Sequence, residues 1–400
     1  MLRTLSPEPL AADAPSRLLP ARQGWWFVSE GGSARLHTAQ VDQDGAVAPA
    51  TLDRLRQAGL LRRRAPSSYS LTVLTSTDCN LGCGYCFQNI AQDPRGGARP
   101  PRIAHARLKP ETTTAILDFT RARMDEAGLD KLALMLFGGE PLLNLRGAVD
   151  LLERSARLGE LTVSMTSNGT LLTPLVVRTL HDAGLGSVQL TFDGDRDEHD
   201  AIRVTRSGGP TFDRIVDNAA QAMAAAPAVR WHLRVNVSHH NRHGIGALVQ
   251  RLADRLDTSR CGIQFALVGD VGVGYGNDLD FGGALAADFT AWHRSALERG
   301  FTLTRPRSGK GCQACEHPDG RYGAVVSADG SLASCWETAG RPEWVVGDVG
   351  GGYLSGEHVE SRWITCTDQY RHGENAPALA AFQDEVDAEL LDLLHTARRV

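Results

Sequence analysis

Three cysteines, Cys79, Cys83 and Cys86, fall within eight residues at C-x3-C-x2-C spacing, directly after the apolar run Leu71-Thr72-Val73-Leu74. Thiolates closing on one loop converge on a soft metal centre, and iron–sulfur clusters are held by such runs. The number three matters. A cubane cluster has four irons, so three local ligands leave one iron free to bind a reactant, as open metal sites do. Zinc and buried core thiols are the competing readings. Zinc favours paired C-x2-C units that make four ligands, and three core cysteines in eight residues is an unusual density.

A second set lies downstream. Cys312 and Cys315 form C-x2-C, Cys335 follows 20 residues after Cys315, and Cys366 lies 31 further on. Four thiolates at these spacings suit zinc as well as an iron–sulfur cluster. Cys261 stands apart and reads as a buried thiol.

The elements that must position these residues alternate. Apolar runs at 70–76, 132–137, 161–166, 187–192, 231–237 and 262–268 read as strands. Helical periodicity falls between them, over Pro110–Glu126, Leu145–Leu158, Pro174–Ala183, Thr211–Ala225 and Ile245–Leu256. Strand alternating with helix implies a parallel sheet with right-handed crossovers. Ligands of such sheets bind beyond the carboxyl ends of the strands. The unusual residues gather there. The first cysteine set follows the first strand and Gly138-Gly139-Glu140-Pro141 follows the second. Ser167-Asn168-Gly169-Thr170 follows the third, and Thr191-Phe192-Asp193-Gly194 closes the fourth ahead of His199-Asp200-Ala201-Ile202-Arg203. Paired glycines let backbone approach a ligand closely. The sixth strand leads to a glycine-rich rim, Gly269 to Gly276, that is neither a P-loop nor GxGxxG.

Taken together, the cysteine spacing, Tyr85 before the last cysteine and the GGEP tetrapeptide resemble the radical S-adenosylmethionine (radical SAM) enzymes. The resemblance covers roughly residues 70–370. It implies a partial (β/α)6 barrel in residues 67–300, with a [4Fe-4S] cluster on Cys79, Cys83 and Cys86. It implies S-adenosylmethionine beside Gly138, Gly139, Glu140 and Pro141, with Ser167 and Asn168 on the ribose side and Thr191, Asp193 and Arg203 near the cosubstrate. Arg203 has two readings, a partner for the cosubstrate carboxylate or for Asp193. The DG…HDxxR pattern is similar to that of peptide-modifying members.

The stretch C-x14-G-x4-C from Cys315 to Cys335 resembles the opening of SPASM and twitch domains. It implies one auxiliary iron–sulfur cluster, [4Fe-4S] in type, on Cys312, Cys315, Cys335 and Cys366 within residues 301–400. The implied activity is maturation of a ribosomally synthesised precursor peptide. A 5′-deoxyadenosyl radical would abstract hydrogen and an oxidative cross-link would result, with flavodoxin or ferredoxin as electron donor. The alternative is a radical SAM dehydrogenase of a small-molecule sugar or antibiotic intermediate.

Residues 1–66 form a leading segment. Trp25–Val28 and Ala34–Thr38 flank Gly31-Gly32 as strand–turn–strand, and Leu52, Leu55, Leu60 and Leu61 mark a short helix interrupted by Gly59. It reads as a lid or as a peptide-docking edge. A closing amphipathic helix, Pro377–Arg399, is expected to pack back on the body. Composition narrows the class further. With 42 basic and 47 acidic residues in 400 the net charge is -5, which gives no nucleic-acid surface. Only Lys109, Lys131 and Lys310 are lysines. Pro7 and Pro9 interrupt the start where a secretory signal needs an apolar core. No apolar run approaches the ~20 residues of a membrane span. The expectation is a cytoplasmic protein whose cysteines, Cys261 apart, bind metal rather than form disulfides.

Overall fold

The computed structural model describes residues 13–42, 44–63, 65–86, 88, 103–269, 277–308, 312–365 and 376–397. Cys366, most of the glycine-rich rim (270–276) and most of the loop after the first cysteine set lie outside them. Two compact units emerge: residues 1–65 with 305–311 and 380–400, and residues 66–304 with 312–379.

The larger unit is built on β4 (Tyr69–Ser76), β5 (Lys131–Gly138), β6 (Glu160–Ser167), β7 (Leu185–Phe192), β8 (Arg230–Val237) and β9 (Cys261–Leu267). All six pair in parallel, in chain order. Helices α2 (Pro110–Ala127), α3 (Leu145–Ser155), α4 (Pro174–Asp182), α6 (Phe212–Ala225) and α7 (Ile245–Arg255) fill the crossovers. A short α5 (Arg196–Ile202) precedes α6, and α8 (Gly283–Glu298) follows β9. Period-2 alternation sorts the strand side chains onto two faces. Val188, Trp231 and Cys261 stand in register, as do Leu190, Leu233 and Ile263, and each of these six is at most 2% exposed. The other face carries Gln189, His232 and Gly262, then Thr191, Arg234 and Gln264.

The sheet extends beyond the six. β10 (Thr302–Leu303) pairs parallel with β9 at one edge, and at the other β11 (Gly323–Val326) pairs parallel with β4. β11 then turns through Gly330, at φ +92°, into β12 (Ser331–Ala333). The hairpin turns at Asp329-Gly330. The parallel seam between β11 and β4 was not foreseen, because no local pattern encodes a partner some 250 residues away. β13 (Gly347–Asp348) and β14 (Gly352–Tyr353) complete the antiparallel end.

The smaller unit holds an antiparallel sheet of β1 (Ser16–Pro20), β2 (Trp25–Ser29) and β3 (Gly32–Leu36), with α1 (Pro49–Gln57). Strand β1 escaped the sequence reading. After a short α9 (Glu357–Glu360), the final helix, α10 (Ala376–Thr396), packs in this unit: Ala388 and Leu391 form one buried cluster with Leu19, Trp26 and Val28. Its apolar face meets the leading sheet. Among the described residues no helix is long and apolar enough to cross a membrane.

Candidate functional site

At the carboxyl end of β4 the chain enters the first cysteine loop, with Cys79 and Cys83 buried and Cys86 packed beside them. Two backbone bonds tie the loop after β5 onto it: Gly139 N to Ser76 O at 3.0 Å and Glu140 N to Asp78 O at 2.8 Å. The paired glycines make that contact possible. A Cβ on Gly138 (φ +139°) would lie 2.1 Å from the Ser76 oxygen, and one on Gly139 would lie 2.4 Å from the Asp78 oxygen. Both glycines thus lie directly against the backbone at the end of β4 and the start of the cysteine loop.

Glu140 is fully buried and its carboxylate is spent on the protein. It accepts from Ser167 Oγ (2.9 Å), Asn168 N (2.7 Å) and Leu142 N (3.1 Å). Burial raises its pKa, opposed by these three bonds. Pro141 follows as the first residue of a 3-10 turn, and its carbonyl accepts from Thr75 Oγ1 at 3.1 Å. Asn168 reaches the other way. Its Nδ2 donates to Asn80 Oδ1 at 2.8 Å and lies 3.6 Å from Cys79 Sγ, while Leu81 N lies 3.4 Å from the same sulfur. Glu140, Ser167 and Asn168 thus fasten three strand-end loops into one body.

A second network lies under Tyr85. Its hydroxyl donates to Asp193 Oδ2 (2.8 Å) and accepts from Arg203 Nη1 (3.0 Å) and Asn236 Nδ2 (2.8 Å). Arg203 also pairs with Asp193 at 3.3 Å, with both side chains at most 10% exposed. Of the two sequence readings for Arg203, the Asp193 partner is present. Burial alone would lower the Arg203 pKa, but Tyr85, Cys83 and Asp193 around it raise it. His199 supports this network: its Nδ1 accepts from Asp193 N at 3.4 Å, and burial holds its pKa well below the ordinary value, so the imidazole is neutral. Asp200 Oδ1 accepts from Thr211 N and Phe212 N, at 2.7 and 2.8 Å, and so starts α6. His199, Asp200 and Arg203 of the HDxxR pattern thus each make a scaffold contact. Thr191, 8% exposed, sits in register with Arg234 on the polar face. Asn236 was missed from sequence, although the alternation His232-Leu233-Arg234-Val235-Asn236 was the available signal.

Of the downstream cysteines, Cys312 packs near the ends of β4 and β5. Cys312 packs on a cluster of Leu74, Ala314, Val325, Ala333 and Ala339, beside Phe137 and Trp336. Cys315 and Cys335 are 4% and 5% exposed. Trp363 Nε1 donates to Cys315 O at 2.8 Å, and Ile364 N donates to Ser334 Oγ at 2.9 Å. Cys261 is buried on the helix-facing side with its pKa pushed up to about 12 by burial. Among the described residues no group of three His, Cys, Asp or Glu side chains forms a cage for a single metal ion.

Residues 73–252 match the family model described as the Radical SAM superfamily. The match spans 180 of the chain's 400 residues. Curated relatives include the radical SAM cyclopropyl synthase TigE of Paramaledivibacter caminithermalis, 25% identical over 147 residues, which cover 36% of this chain and 30% of TigE. A GTP 3′,8-cyclase of Synechococcus sp. is 31% identical over 185 residues, 44% of this chain and 45% of the cyclase. The chain thus spans less than half the length of these relatives. Among solved structures, native anSMEcpe with bound AdoMet superposes with a TM-score of 0.60 at 17% identity, over 83% of this chain and 100% of that one. It shares the fold.

The radical SAM family implies a [4Fe-4S] cluster and S-adenosylmethionine, and the residues present fit both. Burial pushes the Cys79 thiol far up and the Cys83 thiol to about 11, so the pocket disfavours thiolate charge until a cationic centre supplies it. Two N–H groups aimed at Cys79 Sγ are the kind of donor that supports a cluster sulfur. Arg203 Nε is buried without a hydrogen-bond partner beside this loop, a donor suited to an anionic group of a cosubstrate.

Proposed function

We propose that the chain is a radical SAM maturase that removes hydrogen from a ribosomally synthesised peptide and installs an oxidative cross-link. The carrying observation is the fastening of the cysteine loop, the GGEP loop and the Ser167–Asn168 loop through Glu140 and Asn168. When bound, the cluster on Cys79, Cys83 and Cys86 and S-adenosylmethionine supply a 5′-deoxyadenosyl radical. The chain's own residues do the rest. Gly138, Gly139, Glu140 and Pro141 hold the loop that borders the cosubstrate. Ser167 and Asn168 line its ribose side, Thr191 stands near the cosubstrate, and Asp193 with Arg203 fixes Tyr85 under the cysteines. In this reading the six βα units curve as a partial barrel over 67–300, preceded by a segment at 1–66.

Residues 301–400 are proposed to carry an auxiliary [4Fe-4S] cluster on Cys312, Cys315, Cys335 and Cys366. Support comes from the pinning of Trp363 at Cys315 and Ile364 at Ser334. Cys366 is two residues further in sequence and lies outside the described residues. A peptide substrate is supported by anSMEcpe, which shares this fold and is seen with AdoMet and a bound peptide. A flavodoxin or ferredoxin would deliver the electron.

The test is anaerobic reconstitution with iron, sulfide, S-adenosylmethionine and dithionite. The intact chain is expected to form 5′-deoxyadenosine, and Cys83→Ala is expected to lose it along with most of the iron. Wild-type yield from Cys83→Ala would sink the assignment. Loss of two hydrogens from a candidate precursor peptide, by mass spectrometry, tests the cross-link separately.

A further inference from the structure

The polar face of the sheet holds a hollow of about 70 Å³, lined by Gln189, His232, Arg234, Gly262, Gln264 and Thr304 among others. Three adjacent strands build it, because Gln189, His232 and Gly262 stand in register and Thr191, Arg234 and Gln264 stand in the next rank. Gly262 keeps it open: a Cβ there would lie 3.2 Å from His232 Nδ1. Glycine inside a strand weakens the strand and commonly marks a place where something else approaches.

Arg234 is half-buried, and its Nε donates to Asn236 Oδ1 at 2.8 Å. That bond fixes the guanidinium and leaves its terminal nitrogens in fork geometry. Among the described residues Arg234 belongs to no ion pair, whereas Arg196, Arg203, Arg242, Arg251 and Arg255 of the same unit all have carboxylate partners. Burial and Arg230 lower the His232 pKa, so the imidazole is a neutral neighbour. The hollow thus offers one cation with carboxamide and imidazole donors around it. That matches a single negative charge with planar oxygens better than a dianion.

We propose that this hollow binds a carboxylate of the substrate, gripped by Arg234, and that the substrate of the radical SAM site is an acidic peptide residue. The inference deepens the peptide reading and rests on it for the source of the carboxylate. Geometry joins the hollow to the chemistry. Asn236 lies two residues along β8 from Arg234, about 7 Å, and it bridges Arg234 to Tyr85 within the cysteine loop. A carboxylate at Arg234 would hold a side chain pointing along the face toward Cys83 and Cys86.

Ligand-observed NMR titration of the reconstituted full chain tests this without any turnover. The probes are N-acetyl-glutamate N-methylamide, its glutamine and phosphoserine counterparts, and glutarate. The glutamate probe is expected to bind at least tenfold more tightly than the glutamine probe. Arg234→Gln should abolish that preference, and Arg234→Lys should keep part of it. Gly262→Val, which fills the hollow and leaves Arg234 in place, should weaken the glutamate probe by a similar factor. An unchanged melting temperature guards against a folding defect in each variant. A glutamate probe tighter than glutarate supports a peptide source. Equal affinities, both lost in Arg234→Gln, support the carboxylate site with a small acid as its source. Equal binding of glutamate and glutamine, undiminished binding in Arg234→Gln, or tighter binding of phosphoserine overturns the proposal. Because no deoxyadenosine is measured, a failure here leaves the radical SAM assay standing, and the reverse also holds.

Discussion

At position 139 the space for one methyl group separates two accounts of the GGEP loop. A Cβ there would stand 2.4 Å from the Asp78 oxygen and 3.1 Å from Cys79 Cβ. Backbone cannot yield as a flexible side-chain end does, so Gly139→Val should move the cysteine loop. Iron per chain is expected to fall together with S-adenosylmethionine binding; a variant that keeps its iron and loses only the cosubstrate would restore the ligand-gap account. Asn168 makes a second residue-scale test. Asn168→Leu removes a donor near Cys79 Sγ, worth ~1 kcal/mol, or about 40 mV for one electron. The cluster potential, followed by EPR in a redox titration, should shift to more negative values. An unmoved potential removes Asn168 from the cluster's support. The residue types here were legible because cysteine spacing and strand-end position are local. Partnerships were not, because Glu140–Ser167 and Tyr85–Asn236 join loops 27 and 151 residues apart.

Elements were read well where periodicity was strong. The six strands and the five crossover helices fall within three residues of their expected ends, since each strand buries one face and each helix one stripe. The elements missed were those with weak stripes. Short α5 opens with a capping box between Asp195 and Glu198, a three-residue signal lost in polar sequence. Helix α8 begins at two glycines and buries His293 among Phe265, Phe289 and Trp292. That histidine gives a pH prediction. Burial lowers its pKa from 6.5 to about 4. As pH falls below 6.5 the unfolded chain takes a proton that the folded chain refuses until about 4, so stability is lost across that window. The cost at pH 5 is about 2 kcal/mol. His293→Phe should therefore lose less stability than wild type between pH 7 and pH 5, read from urea midpoints. Equal losses would mean that His293 is protonated in the fold. His199, also lowered by burial, keeps its own share in both proteins.

On the scale of the whole molecule, the two ends of the chain complete one another. Trp26 Nε1 donates to Asp392 Oδ1 at 2.9 Å in a buried contact, and Arg17 pairs with Asp384 and Asp387 at 2.6 Å each. A three-stranded sheet and one short helix bury too little to be stable alone. The cluster of Leu19, Trp26, Val28, Ala388 and Leu391 is what α10 adds. Sequence periodicity identified the apolar face of α10 but could not name its partner, because any apolar surface satisfies the same stripe. This has a consequence for peptide docking on the leading sheet, whose β1 and β3 are edge strands. Deleting residues 1–65 would uncover α10 as well as remove the edge, so a loss of peptide binding would have two causes. A chain ended after Leu379 separates them. It should keep the proposed 5′-deoxyadenosine formation, while residues 13–62 become sensitive to limited proteolysis. Trp26→Phe, which keeps the ring packing and strands one Asp392 oxygen, should give the same sensitivity more mildly, at a cost of ~1–3 kcal/mol. Full protection of residues 13–62 in the truncated chain would show that the leading sheet stands without α10, and would return the 1–65 deletion as the direct test of docking.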